Sequence, residues 1–160
     1  MDDVVREQIA AALTSPNATD PGTLTSALRL LAKWRQQKMN LIIARATGSR
    51  VLTGPFAGMV FVAEGTHGSL APKLLGTYEQ ELRGVIDTII ATEYEVVVNI
   101  GAAEGYYAIG LARRMTKARV LAHDTDAKAQ KVCRHLAIAN GVSARVTVGG
   151  AFNHADFAAL

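Results

Sequence analysis

The run Glu95-Val96-Val97-Val98-Asn99-Ile100 passes into Gly101-Ala102-Ala103-Glu104-Gly105, and a helical pattern opens at Tyr106-Tyr107. A strand that is apolar throughout its middle is expected to be covered on both faces, as in a parallel sheet. Parallel strands need a crossover connection, and the residues downstream supply two. Helical periodicity over 105–115 leads to a strand over 118–124, a helix over 126–140 and a strand over 144–149. In the second of these helices Val132, Leu136 and Ala139 are expected to face inward, and Asn140-Gly141 stops it. The alternation predicts an α/β fold: a Rossmann-like half-sheet of three parallel strands in the order 3-2-1.

Upstream the pattern differs. Residues 3–14 predict a short helix, 14–22 are rich in proline and cap-forming side chains, and a longer helix starts near Thr23. Leu24, Ala27, Leu28, Leu31 and Trp34 recur there at helical spacing. Six basic residues and no acidic ones lie between Thr23 and Arg50, a solvated face or a site for an anionic substrate or nucleic acid. The stretch 50–63, with Gly54-Pro55 near its centre, predicts a β-hairpin, 64–76 a loop, and 77–91 a helix capped by Thr77. That helix carries Leu82, Val85, Ile86, Ile89 and Ile90 on one stripe. The organisation is therefore an N-terminal helical segment (1–49), a hairpin and helix leading into the core (50–91), and a partial cofactor-binding domain (92–160).

Composition sets bounds on these readings. With 160 residues, 49% apolar and 19% charged, the chain can bury a core and is not of disordered type. A net charge of +3 does not by itself mark a nucleic-acid binder. The single cysteine, Cys133, excludes an internal disulfide and is expected to be a small core residue. The four histidines show no ligand spacing, so no metal is expected. The N-terminus has no signal-peptide pattern and no apolar run reaches membrane-spanning length, so a cytoplasmic protein is expected.

The glycine loop narrows the chemistry. In a dinucleotide fingerprint the second glycine lets the backbone approach a pyrophosphate; here Ala103 takes that place. No lysine follows as it would in a phosphate-binding P-loop, and Glu104 adds a negative charge at the loop's mouth. A cationic ligand without phosphate suits such a loop, and S-adenosylmethionine has a sulfonium, an ammonium, a ribose and an adenine. Asp124 follows Gly105 by 19 residues, the register at which an acid accepts both hydroxyls of a ribose. Its other reading is a helix cap, the role expected of Asp126. Asp156, three residues after Asn153, is expected in a capping box.

The stretches VVVNIGAAEGYYAIGLA, VLAHDTD and NGVSARVTVGG resemble the first half of class I S-adenosylmethionine-dependent methyltransferases. KLLGTYEQEL ahead of them is similar to the FkbM-like branch. The resemblance covers about residues 55–150 and implies a truncated methyltransferase fold with S-adenosylmethionine as cofactor and an unassigned methyl acceptor. It implies that Gly101, Ala102, Ala103, Glu104 and Gly105 lie beside the methionine part, with Tyr106 near the ligand. Asp124 and Thr125 would take the ribose, Gly150, Ala151 and Phe152 the adenine, and Tyr78 and Glu79 a segment laid over the cofactor, unless these two form an exposed first helical turn. Many members have an acid where this chain has Asn99, whose amide oxygen can still accept a hydrogen bond. No catalytic base is assigned. The fourth strand that should flank the first is missing from the sequence, so a fragment or a homodimer covering that edge is expected, with no methyl transfer by this chain alone. The rival readings are a non-catalytic nucleotide-binding or assembly module using the basic N-terminal helix, and an NAD(P)-linked dehydrogenase, which Ala103 and Glu104 disfavour.

Overall fold

The computed structural model describes residues 2–62 and 70–159. The chain divides into two compact units, residues 1–43 and 44–160. The first holds α1 (Asp2–Thr14) and most of α2 (Pro21–Thr47). Asp20 caps α2, its Oδ2 accepting from Gly22 N at 2.8 Å and Thr23 N at 3.2 Å.

The second unit is built on β1 (Val96–Ile100), β2 (Arg119–His123) and β3 (Val146–Gly149). They pair in parallel in the order β1-β2-β3, with Val97 opposite Val120 and Ala122 opposite Val148. The three-stranded α/β half-sheet is as expected, with β2 central. Val96, Val97 and Val98 are only half-buried, a correction to the expectation of full cover. Among the described residues no strand pairs with the free edge of β1, which leaves that flank open.

The crossover helices are α5 (Tyr106–Arg114) and α6 (Ala127–Ala139), which pack on β2 and β3 respectively and touch each other. Ala108, Ile109 and Ala112 of α5 and Cys133, Leu136 and Ala137 of α6 are buried. Ala139, expected inward, is exposed, because Cys133, Leu136 and Ala137 form the inward stripe. Arg145 closes the end of α5, its guanidinium donating to the carbonyls of Ala112, Met115 and Ala118 at 2.5, 2.9 and 3.2 Å. Asp126 caps α6 through Lys128 N at 2.8 Å, and Asp156 accepts from Asn153 N at 2.6 Å, both as expected.

Three local expectations are corrected. Segment 50–62 is not a two-stranded hairpin but a folded loop with a single antiparallel bridge between Arg50 and Val60 (Ala63 lies outside the described residues). The two limbs pair through Val51 N to Met59 O at 2.9 Å and Phe61 N to Ser49 O at 2.8 Å, and Asn140 holds the outer edge of Val60: its Oδ1 accepts from Val60 N at 2.9 Å and its Nδ2 donates to Val60 O at 2.8 Å. Of the expected loop 64–76, residues 64–69 lie outside the described residues, and Leu70–Leu75 form a helix, α3. Thr77 caps nothing: Glu79 takes a left-handed conformation (φ 46°), a 3-10 turn runs from Gln80 to Leu82, and α4 starts only at Arg83, ending at Thr92.

Candidate cofactor site

The C-terminal ends of the three strands converge on a cleft of about 240 Å³. It is lined by Ile100 and Gly101 after β1, His123, Asp124 and Thr125 after β2, and Gly150, Ala151 and Phe152 after β3. In an open parallel sheet ligands bind in this position, outside the carboxyl ends of the strands. Six of the eight lining residues are ones the sequence singled out. Ile100 and His123 were missed; strand alternation could have found His123, whose ring stands on Phe152 with centroids 4.9 Å apart.

Asp124 organises the cleft. Its Oδ2 accepts from Ala103 N at 2.7 Å and its Oδ1 from Asp126 N at 2.8 Å. The carboxylate thus ties the loop after β1 to the start of α6. Each oxygen keeps a second lone pair, so both can accept one more hydrogen bond from a ligand hydroxyl. Ala103 sits at φ 48°, the left-handed region that glycine usually fills, and this turn aims its amide at Asp124. Gly105 (φ 93°) is a glycine of necessity: a Cβ there would lie 2.5 Å from Cys133 Sγ. Burial pushes the Cys133 thiol up to about 11, so it is a packing residue and not a nucleophile.

Glu104 does not lie at the mouth as an open charge. It is 9% exposed and ion-paired with Lys73 of α3, itself 5% exposed. The Lys73 ammonium also stands 4.6 Å from the centroid of the Tyr78 ring. A buried ion pair of this kind spends its Coulomb attraction on offsetting desolvation. Lys73 was missed because 31 residues separate it from Glu104 and no local pattern links them.

Tyr78, Glu79 and Tyr106 come together elsewhere than in the strand-end cleft. Tyr106 and Tyr107, in the first turn of α5, stack edge-on at 5.5 Å, with Tyr78 5.6 Å and Phe56 5.4 Å from Tyr106. The Tyr107 hydroxyl donates to Glu79 Oε2 at 2.6 Å. Burial, then the hydrogen bond to Glu79, holds the Tyr107 phenol far above its ordinary range, and burial raises Tyr106 to about 12. Pro55, Phe56, Gln80 and Arg83 join these residues around a narrow cleft. Ala102 is buried under the loop, donating to His123 O at 2.9 Å. Asn99, at the end of β1, has a buried Oδ1 with no partner among the described residues. No group of three or more His, Cys, Asp or Glu able to hold a metal occurs among the described residues. Nor is any described helix long and apolar enough to cross a membrane.

No known family profile and no curated protein matches the chain. Among solved structures it is similar to cofactor-bound Rv0187 from MTB, with a TM-score of 0.45 and 18% identity over 79% of this chain and 48% of that one. It is also similar to coclaurine N-methyltransferase bound to N-methylheliamine and SAH, with a TM-score of 0.35 and 11% identity over 96% of this chain and 49% of that one. The chain therefore spans about half the length of these structures. At such values the site's own geometry remains the basis for function.

Proposed function

We propose that the strand-end cleft binds the adenosyl part of S-adenosylmethionine and that the chain is the cofactor-binding half of a methyltransferase. The observation that carries this reading is Asp124, a carboxylate in the cleft with a free lone pair on each oxygen, next to the glycine loop. A vicinal diol matches that pair of acceptors. Phe152, braced by His123, offers a flat wall to an adenine. The cofactor, when bound, supplies an electrophilic methyl group, so the protein's share is orientation and exclusion of water. Glu104 has no part in direct attraction of the sulfonium on this reading, because Lys73 already neutralises it.

The test is a thermal-shift and calorimetric comparison of S-adenosylmethionine, S-adenosylhomocysteine, NAD and ATP. A ligand bound only by the folded chain stabilises it by RT ln(1 + [L]/Kd) and so raises its melting temperature. Shifts with the first two alone support the reading; a shift with NAD or ATP alone moves it to the nucleotide-binding alternative.

A further inference from the structure

The α1–α2 unit has no core of its own. None of residues 3–43 is buried; Val5, Ile9 and Trp34 are half-buried along a shallow groove that Leu31 completes. From the edge of that groove at Leu31, α2 carries an apolar stripe: Leu24, Leu28, Leu31, Met39 and Ile42, spaced i, i+4, i+7, i+15 and i+18. Leu28 is 66% exposed and Ile42 59%. Arg35 fills the gap at i+11. Two helices share one seam and cannot enclose a core, and a stripe about a quarter-turn from that seam is the pattern of a helix in a four-helix bundle.

We propose that a second copy of this chain covers the stripe, two α1–α2 hairpins closing into a four-helix bundle. Charge selects this occupant and its arrangement. Helix α2 carries five cations and no acid, so laying α2 along α2 would oppose like charges. Helix α1 carries three acids and one cation. It also exposes Val4, which shares a face with Glu7 and Ala11 at i+3 and i+7. Laying the second copy's α1 along the stripe brings an acidic, apolar helix to Arg35 and its apolar neighbours, and two-fold symmetry repeats the contact. The single cation within the stripe fixes the register, as one polar residue does in a coiled-coil seam.

The experiment uses the full chain in sedimentation equilibrium at micromolar concentration. The expected mass is twice the chain's 17.0 kDa. Leu28→Glu/Ile42→Glu is expected to give the single-chain mass with unchanged helical circular dichroism. The milder Leu28→Ser/Ile42→Ser should raise the dissociation constant about tenfold or more. Leu52→Glu, an exposed position in the other unit, should leave the dimer intact. A monomeric parent chain overturns the proposal. So does a dimer that survives Leu28→Glu/Ile42→Glu, which would move the interface to another surface such as the free edge of β1. A monomer that sediments with phosphatidylglycerol vesicles and not with phosphatidylcholine would overturn it in favour of a lipid surface. None of these outcomes bears on cofactor binding, which S-adenosylhomocysteine titration of the same variants reads separately.

Discussion

Replacing Asp124 by Asn keeps the side chain's shape and removes its charge and one acceptor. In the free protein the carboxylate accepts from Ala103 N at 2.7 Å and Asp126 N at 2.8 Å. An amide can serve only one of these and turns its NH₂ toward the other. Asp124 is half-exposed, so water takes up part of the loss and the stability cost is expected near the low end, about 1 kcal/mol. The ligand loses more: a hydrogen bond to a charged acceptor contributes about 1.5–3 kcal/mol, or about 10- to 150-fold in affinity. Affinity alone would not separate a ribose contact from a loosened loop. The informative assay is a calorimetric cycle of two proteins against two ligands, S-adenosylhomocysteine and its 2′,3′-dideoxy analogue. The parent protein should discriminate between the ligands within that range, and Asp124→Asn should lose most of the discrimination. If both proteins discriminate equally, the carboxylate does not hold the diol, and Asp124 is only a brace for Ala103.

Further substitutions probe the loop from beneath. Lys73→Met leaves Glu104 buried without its partner and is expected to cost about 3–5 kcal/mol in urea unfolding. Glu104→Gln should weaken S-adenosylmethionine and S-adenosylhomocysteine by the same factor, and a larger loss for the sulfonium would mean that its charge reaches the ligand. Gly105→Ala puts a Cβ 2.5 Å from Cys133 Sγ at φ 93°, so overpacking of about 1–3 kcal/mol adds to backbone strain. Cys133→Ala should recover the overpacking part, and an equal cost in both backgrounds would leave strain as the whole effect.

The sheet was legible because its signals are local. Val96–Val98 running into Gly101, and two further strand–helix alternations, need only neighbouring residues to be read, and Asp124 follows from its register to the loop. The misread parts depend on distant partners. Segment 50–62 has a hairpin's composition, yet its pairing stops at one bridge, and a side chain 80 residues away holds its outer edge. Glu104 looks like an open charge until Lys73 is brought to it by α3. Val96, Val97 and Val98 look fully covered because an apolar run reports what a strand can bury and not which neighbours it finds. The late start of α4 follows from the left-handed Glu79, a conformation that no residue type at that position announces.

The clamp between Asn140 and Val60 has a consequence for the order in which the chain acquires its structure. The two partners lie 80 residues apart, and Asn140 is positioned by the end of α6, where its Nδ2 also donates to Leu136 O at 2.9 Å. Closing so long a loop has a large entropic cost until other contacts have shortened it. Segment 50–62 leaves the ribosome well before α6, so it must wait without its anchor while the strands and helices that follow assemble. The segment synthesised early is thus secured late, and pulsed hydrogen exchange during refolding should find the Val60 amide protected no sooner than the amides of α6.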